Sequence, residues 1–202
     1  MRNIAVIGAG QMGSGIAQTV AAHGMQVMLS DVDLARAEAG KANVEKALVK
    51  LAGRGKIEAD EAEALLARIT PVADYAPMAD ADLIIEAATE REEIKNAIFD
   101  AAGKVLDDSA IMASNTSSIP ITRMANWSPD PGRFIGLHFF NPVPVMGLIE
   151  VIPGLATNKD VTDRTIEFAH LLGKEVVLSQ DEPGFVVNRI LLPMINEAIF
   201  VL

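Results

Sequence analysis

Short apolar runs alternate with longer amphipathic stretches along the whole chain, and turn residues separate them. The apolar runs are typical of buried strands, and they are "NIAVIG", "QVMLSD", "ADLIIEAA", "AIMASN", "FIGLHF", "LIEVI" and "EVVLS". The amphipathic stretches predict helices at about 11–24, 33–52, 58–69, 91–103, 119–126 and 158–172. This alternation predicts an α/β fold, doubly wound, in which helices cover both faces of a mostly parallel sheet.

Capping residues mark the ends of several predicted helices. Gly24 suits the left-handed position after the first helix, Asp33 is a good N-cap for the second, and Gly53 closes that second helix. The final stretch, "PGFVVNRILLPMINEAIFVL", predicts an apolar helix with a kink at Pro193. A helix that is apolar on most faces needs partners. We therefore expect a first domain over 1–183 and the opening helix of a second, helical domain over 184–202.

The composition is that of a globular protein with a sizeable core, because 50% of the residues are hydrophobic and 22% are charged. Cysteine is absent, which excludes a disulfide framework and a thiolate metal site, and three scattered histidines make a metal centre a poor hypothesis. No run resembles a signal peptide or reaches transmembrane length, so we expect a cytoplasmic protein without a membrane partner. The formal net charge of -10 argues against a nucleic-acid partner.

Residues 8–13, "GAGQMG", have the spacing G-x-G-x-x-G and stand between a predicted strand and a predicted helix. Gly8 permits the tight turn, Gly10 lets the backbone approach a pyrophosphate, and Gly13 lets the helix pack on the strand. The pyrophosphate would lie against free N–H groups at the helix N-terminus, beside Gln11 and Met12. The motif in this context predicts a Rossmann-like dinucleotide site.

Asp31 ends the second predicted strand, 21 residues after Gly10, close to the spacing of about 20 that this kind of site uses. A carboxylate there accepts hydrogen bonds from the adenosine ribose and repels a 2′-phosphate, so the expected cofactor is NAD rather than NADP. Arg36 lies nearby and weakens that preference. The alternative without a cofactor is that residues 8–13 form a tight turn and that Asp31 is an ordinary aspartate at a strand end.

Three further stretches complete the pattern: "SNTSS" at 114–118, "HFFNPVPVMGLIEVI" at 138–152 and "PGFVVNR" at 183–189. Together with "IGAGQMGSGIAQ" they resemble the L-3-hydroxyacyl-CoA dehydrogenases, most of all the bacterial branch that acts on 3-hydroxybutyryl-CoA. The resemblance covers essentially all 202 residues, in order and with similar spacing. It implies an NAD-dependent oxidoreductase of fatty acid metabolism that interconverts an L-3-hydroxyacyl-CoA and the 3-oxoacyl-CoA.

The resemblance also implies four catalytic residues. His138, which the local sequence alone would class as a packed core histidine, matches the general base, and an imidazole suits proton transfer near neutral pH. Glu150 matches the carboxylate that orients that imidazole, which would explain an acid in the apolar run "LIEVI". Ser117 matches the serine that binds the C3 oxygen of the substrate, and Asn188 matches an asparagine that orients the substrate. The alternative for the serine is helix capping, for which Ser118 is better placed.

Further residues match positions around the cofactor. Glu90 and Lys95 match positions near the nicotinamide ribose, although they could be solvated charges at a helix start. Asn115 and Asn141 follow predicted strands, at the carboxyl edge where open α/β sheets bind ligands. Either asparagine could instead be a turn residue.

A basic segment, 41–56, stands out in this acidic chain. Lys46, Lys50 and Arg54 fall at i, i+4 and i+8 and would form one stripe on a helix. In the family this region holds part of the coenzyme A, so the resemblance implies that Lys50, and less directly Arg54 and Lys56, contact the acyl-CoA substrate. A solvated helix face would have the same pattern.

Other hypotheses stay open at the level of sequence. One is a dehydrogenase of free 3-hydroxy acids, which the "HFFNP" stretch disfavours, and another is an NAD-binding protein or truncated module without turnover, such as a crystallin-like relative. The resemblance further implies a homodimer formed through a helical half that continues past residue 202. That half also supplies one wall of the active site, so we expect the 202 residues by themselves to bind cofactor and to be poorly active.

Overall fold

The computed structural model describes all 202 residues and forms every predicted strand and helix. The strands are β1 (Asn3–Ile7), β2 (Gln26–Ser30), β3 (Ile69–Val72), β4 (Leu83–Glu86), β5 (Ile111–Ser114), β6 (Phe134–Phe139), β7 (Leu148–Pro153) and β8 (Glu175–Leu178). The helices are α1 (Gln11–Ala22), α2 (Leu34–Ala52), α3 (Ala59–Ala67), α4 (Glu92–Gly103), α5 (Ile121–Ala125), α6 (Lys159–Leu171) and α7 (Val187–Val201). Two short 3-10 turns, Ala76–Met78 and Pro131–Arg133, complete the regular structure.

All eight strands belong to one sheet with the order β3-β2-β1-β4-β5-β6-β7-β8. Every neighbouring pair is parallel except β6 and β7, which are antiparallel. The predicted doubly wound, mostly parallel Rossmann-like fold is therefore confirmed. The chain builds outward from β1 to β2 and β3, then crosses back to place β4 on the other side of β1. Ligands of open α/β sheets bind in the crevice at such a reversal, outside the carboxyl ends of the strands.

Each face of the sheet buries its own apolar cluster. Alternate residues of β1 point to opposite faces, so that Ile4 and Val6 join one cluster while Ala5 and Ile7 join the other. Burial of each such aliphatic side chain contributes about 1.5–3 kcal/mol. The central strands are thus packed on both faces, and the loops at their carboxyl ends start from this packed core.

The strand β3 is the one that the hydrophobic pattern does not predict. Its sequence contains Pro71, which lacks the N–H that a central strand donates. The structure places β3 at the edge of the sheet, paired only with β2. A proline is tolerated at such an edge.

The predicted helix ends are largely confirmed. The Asp33 carboxylate accepts the Arg36 N–H at 2.7 Å at the start of α2, and Gly24 has a left-handed φ of 84° after α1. Helix α2 ends before Gly53 as predicted, but Gly53 itself is right-handed, and the left-handed turn falls at Gly55 with φ 65°.

The alternative that Ser118 caps a helix is wrong. The N-terminus of α5 is held from a distant part of the chain, because the Asp181 carboxylate accepts the N–H groups of Ile121 and Thr122, both at 2.7 Å. The Ser118 hydroxyl instead donates to Glu90.

Helix α7 projects from the sheet without burying any of its residues, although most of its side chains are apolar and Pro193 lies inside it. It follows two successive left-handed residues, Gly184 with φ 79° and Phe185 with φ 49°. The left-handed region disfavours a bulky residue such as phenylalanine, so the surrounding packing must hold this turn. The proposed domain boundary at 183/184 lies in the turn and stays a prediction. No helix in the structure combines the length and the apolar character needed to cross a bilayer.

Candidate active site

A cavity of about 390 Å³ opens at the carboxyl edge of the sheet. Its walls include the predicted site residues Met12, Glu90, Lys95, Asn115, Ser117, His138, Asn141 and Asn188. These residues come from five separate stretches of the sequence. The fold therefore brings together most of the residues that the sequence assigned to the catalytic and nicotinamide region.

His138 and Glu150 form a buried pair. They lie directly opposite each other in the antiparallel register of β6 and β7, and His138 Nδ1 is 2.7 Å from Glu150 Oε2. His138 is 7% exposed and Glu150 is 0% exposed. The carboxylate accepts the Nδ1–H, which fixes the tautomer and leaves Nε2 as the ring nitrogen that can exchange a proton in the cavity.

The second oxygen of Glu150 accepts hydrogen bonds from the start of α7. Oε1 accepts the N–H groups of Val186 at 2.9 Å and Val187 at 2.8 Å, at the start of α7. Burial alone would raise the pKa of Glu150, but the hydrogen bonds from His138, Val187 and Val186 outweigh it and hold the pKa below its ordinary value of 4.5. Glu150 is therefore a carboxylate at neutral pH, ready to stabilise an imidazolium.

Aromatic rings enclose the imidazole. The ring centroid of Phe140 lies 4.6 Å from that of His138, and the ring centroid of Phe185 lies 5.8 Å away. Phe185 is the left-handed residue before α7, and its side chain is only 4% exposed. The same turn brings Asn188 to the wall of the cavity.

Ser117 lies in a loop that Glu90 orders. One oxygen of Glu90, Oε1, accepts the Thr116 hydroxyl, the Ser117 N–H at 3.1 Å and the Ser118 hydroxyl at 3.1 Å. Burial favours a higher pKa for Glu90, but the Thr116 hydroxyl, the Lys95 ammonium and the other two donors together lower it below 4.5. The Ser117 hydroxyl makes no hydrogen bond within the protein, so it is available to a ligand.

Lys95 is not a solvated charge. It is 1% exposed, and its ammonium donates to both carboxylate oxygens of Glu86 at 2.7 Å and lies 3.4 Å from Glu90 Oε2. Glu86 is fully buried at the end of β4 and was not among the predicted site residues. The sequence did contain a signal for it, because an acid that ends the apolar run "LIIE" needs a buried partner.

The two asparagines are held by their side-chain oxygens. Asn115 Oδ1 accepts the Phe139 N–H at 2.8 Å, and Asn141 Oδ1 accepts Gln11 Nε2 at 3.1 Å. Each amide nitrogen is thereby left free on a residue that lines the cavity. Gln11 does not line the cavity itself but links α1 to the loop after β6.

The glycine-rich turn has the geometry that its spacing predicts. A Cβ atom at Gly8 would lie 2.6 Å from the Ala87 carbonyl oxygen, and one at Gly13 would lie 1.6 Å from the Gly8 carbonyl oxygen. No heavy atom lies within 4 Å of the Cβ position at Gly10, and no side chain caps the N-terminus of α1. The open side at Gly10 and the free N–H groups of α1 fit a pyrophosphate.

A second cavity, of about 370 Å³, lies beside this turn. Gly8, Gly10 and Asp31 line it, and it shares Ala87 and Ala88 with the first cavity. Asp31 is well placed beside the turn, because its Oδ2 accepts the Ala9 N–H at 2.6 Å. The two cavities meet at the reversal point of the sheet, and together they fit the adenosine and nicotinamide halves of NAD.

Lys50, Arg54 and Lys56 lie apart from both cavities. All three are exposed at or after the C-terminal end of α2. Gly40 of the same helix packs against Ala9 of the glycine-rich turn. Lys50 follows about 15 Å further along the helix, from a rise of about 1.5 Å per residue. The contact of these residues with coenzyme A stays a prediction.

The sequence also missed a buried lysine that holds the loop after β6. Lys174 is 8% exposed, and its ammonium donates to the carbonyl oxygens of Val143 at 2.8 Å and Met146 at 2.7 Å. Burial lowers its pKa below 10.5. These two hydrogen bonds hold the loop after β6, which contains Asn141.

Comparisons with known proteins agree with this geometry. Residues 3–182 match the family described as "3-hydroxyacyl-CoA dehydrogenase, NAD binding domain". The chain is 46% identical over 202 residues to a 3-hydroxybutyryl-CoA dehydrogenase of Bradyrhizobium diazoefficiens, covering 100% of this chain and 69% of that protein. It is 42% identical over 198 residues to a 3-hydroxyadipyl-CoA dehydrogenase of Escherichia coli, covering 98% of this chain and 42% of that protein.

Solved structures show the same similarity. The crystal structure of (S)-3-hydroxybutyryl-CoA dehydrogenase from Ralstonia eutropha superposes with a TM-score of 0.96 at 42% identity, covering 98% of this chain and 70% of that chain. A prephenate dehydrogenase from A. aeolicus, 15% identical with a TM-score of 0.60, shares the fold alone.

Proposed function

This chain belongs to the 3-hydroxyacyl-CoA dehydrogenase family, an NAD-dependent family of oxidoreductases, and we propose that His138 performs the proton transfer of its reaction. The reaction interconverts an L-3-hydroxyacyl-CoA and the corresponding 3-oxoacyl-CoA. From the names of several relatives, 3-hydroxybutyryl-CoA is the proposed substrate. NAD accepts or supplies the hydride when bound.

The proposed chemistry follows from the pair at the cavity wall. Oxidation removes a hydride from C3 and a proton from the C3 hydroxyl, and His138 Nε2 takes that proton. Glu150 Oε2, 2.7 Å from Nδ1, stabilises the imidazolium that results. In the reverse direction the same imidazolium returns the proton to the C3 oxygen.

The neighbouring groups orient the substrate in this proposal. The free hydroxyl of Ser117 donates to the C3 oxygen, and Asn188 contacts the substrate from the first turn of α7. The amide nitrogens of Asn115 and Asn141 face the nicotinamide part of the cofactor, and Asp31 binds the adenosine ribose.

The observation that carries the proposal is the placement of His138. Its ring nitrogen Nδ1 is bound to a buried carboxylate, while the residue lines a cavity that also contains Ser117 and Asn188. A histidine that merely packs in the core would not need a buried, ionised partner, because that partner is costly to bury.

The test replaces His138 with glutamine. In a form of the protein that includes the helical half expected from the resemblance, wild type should oxidise NADH in the presence of acetoacetyl-CoA, followed as the loss of NADH absorbance, and His138→Gln should lower kcat by about 100- to 10,000-fold. The affinity for NADH, measured by fluorescence titration, should stay within about twofold. His138→Gln with undiminished turnover would refute the role of the histidine. NADH binding without turnover of acetoacetyl-CoA by the form that includes the helical half would support the alternative of a binding protein.

The proposed acyl-CoA substrate also binds outside the cavity. We place the coenzyme A along the basic end of α2, at Lys50, Arg54 and Lys56. The homodimer and the cytoplasmic location expected from the resemblance stay predictions, and the exposed apolar side chains of α7 are consistent with a helical partner surface.

A further inference from the structure

Glu86 occupies the point where the central strands of the sheet end. In the register of the sheet it stands beside Ile7 of β1 on one side and Ser114 of β5 on the other. The residue after Ile7 is Gly8 of the glycine-rich turn, and Ser114 is the last residue of β5 before the loop that carries Ser117. Glu86 therefore lies between the cofactor turn and the substrate loop, yet it lines neither cavity.

Four hydrogen bonds converge on the Glu86 carboxylate. The Lys95 ammonium donates to both oxygens at 2.7 Å, the Ala88 N–H donates to Oε1 at 2.8 Å, and the Ser114 hydroxyl donates to Oε2 at 2.6 Å. Two of the three donor residues, Ala88 and Lys95, line the cavity. The carboxylate thus fixes three different segments, one after β4, one in α4 and one at the end of β5.

The network continues from Lys95 to the substrate loop. The Lys95 ammonium is 3.4 Å from Glu90 Oε2, and the other oxygen of Glu90 accepts the Ser117 N–H at 3.1 Å. If Glu86 lost its charge, the buried ammonium would keep Glu90 as its only acidic partner. Lys95 would then be drawn toward Glu90, and the hydrogen bonds that order the loop would change with it.

We propose that Glu86 is a positioning residue for the cofactor site, acting through Lys95 and Glu90 rather than touching the cofactor. Its carboxylate sets where the Lys95 ammonium lies and, through Glu90, how the Ser117 loop is held. This inference rests on the proposed placement of NAD in the two cavities. It assigns a function to an acid that the catalytic chemistry does not use.

The experiment compares NADH binding by wild type, Glu86→Gln and Glu86→Asp, measured by fluorescence titration well below the unfolding temperature. Glu86→Gln keeps the shape and removes the charge, and we expect its Kd for NADH to rise at least about tenfold. Glu86→Asp keeps a charge for Lys95 but shortens the side chain by one methylene. If Glu86→Gln does not fold, Glu86→Asp provides the test in its place. We expect Glu86→Asp to fold and to raise the Kd for NADH at least about threefold.

Two control variants separate positioning from mere stability. Phe168→Leu removes volume from the core under α6, where Phe168 is 1% exposed, and should lower the unfolding temperature while leaving the Kd for NADH unchanged. Glu92→Gln removes an exposed carboxylate that pairs with Arg123 and should also leave the Kd unchanged. A folded Glu86→Gln or Glu86→Asp protein with the wild-type Kd would overturn the inference. Failure of wild type itself to bind NADH would instead refute the cofactor site.

Discussion

The carboxylates at the edge of the cavity differ in what holds them. Glu150 is bound by an imidazole and two backbone N–H groups, and Glu90 is bound by two hydroxyls, one backbone N–H and an ammonium. Donors of this kind favour the charged form and offset the loss of hydration on burial. The pKa values of both groups are consequently lowered, and both charges persist well into the acid range.

The lowered pKa of Glu90 predicts how the stability of the protein depends on pH. A carboxylate with a lowered pKa in the folded protein contributes stability that is fully present above its unfolded pKa and is lost as the pH falls through the folded value. Since the pKa of Glu90 is lowered from 4.5, Glu90→Gln should lose less stability than wild type when the pH falls below about 4.5. Urea midpoints at about pH 7 and about pH 3.5 measure the difference. Glu92→Gln serves as the control, and an equal loss in Glu90→Gln and wild type would contradict the prediction.

Sequence and structure diverge at single residues for a physical reason. Glu150 and His138 could be proposed as site residues because the motif around them is long and specific, whereas Glu86 ends a common apolar run, which indicates a buried partner without indicating which residue that partner is. Whether Lys95 was solvated could not be decided from sequence, since its partner Glu86 lies nine positions away on a different element. Contacts between elements depend on the fold, which local patterns do not describe.

At the scale of an element, the glycines of the turn before α1 differ in how much space a side chain would have. Gly10 has an ordinary φ of -71° and open space at its Cβ position, whereas Gly13 touches the Gly8 carbonyl. Gly10→Ala should therefore fold, losing about 1 kcal/mol or less of stability, but should raise the Kd for NADH at least about tenfold, because the new methyl group lies where the pyrophosphate approaches.

Thermal unfolding and NADH titration check this prediction for Gly10→Ala. Gly13→Ala is the matched comparison, since a Cβ 1.6 Å from the Gly8 carbonyl oxygen should disrupt the packing of α1 on β1 and lower the unfolding temperature itself. Tight NADH binding by Gly10→Ala would show that the pyrophosphate does not approach the turn at this point.

Most elements were predictable because their patterns are local. Strands with continuous apolar runs and helices bounded by Asp33 or Gly24 follow from the sequence itself. The edge strand β3 was missed because its Pro71 opposes the usual pattern, and the cap of α5 was misassigned because Asp181 lies about 60 positions away in the chain. The order of the strands likewise depends on how the elements pack.

For the molecule as a whole, charge is unevenly distributed. The net charge is -10, and coenzyme A is itself an anion, so the protein as a whole repels its proposed substrate. The exposed cations at the end of α2 would offset that repulsion locally. Their effect should weaken as added salt screens the interaction.

The charge argument predicts the behaviour of Lys50→Ala. Its KM for acetoacetyl-CoA should rise by about twofold to fivefold, the range of an exposed ionic contact, while the Kd for NADH stays at the wild-type value. Lys104→Ala, which removes another exposed lysine directly after α4, should leave both constants unchanged. A KM for Lys50→Ala equal to that of wild type at low salt would place the coenzyme A elsewhere.

The shared carboxylate of Glu150 has a thermodynamic consequence. One oxygen binds the imidazole of His138 and the other binds the first N–H groups of α7, so the two interactions are linked through a single charge. Linkage is reciprocal: if docking of α7 changes the proton affinity of the imidazole by some factor, protonation of the imidazole changes the docking equilibrium of α7 by the same factor. If His138 transfers the proton as proposed, each transfer therefore also shifts the docking equilibrium of α7, the helix that carries Asn188.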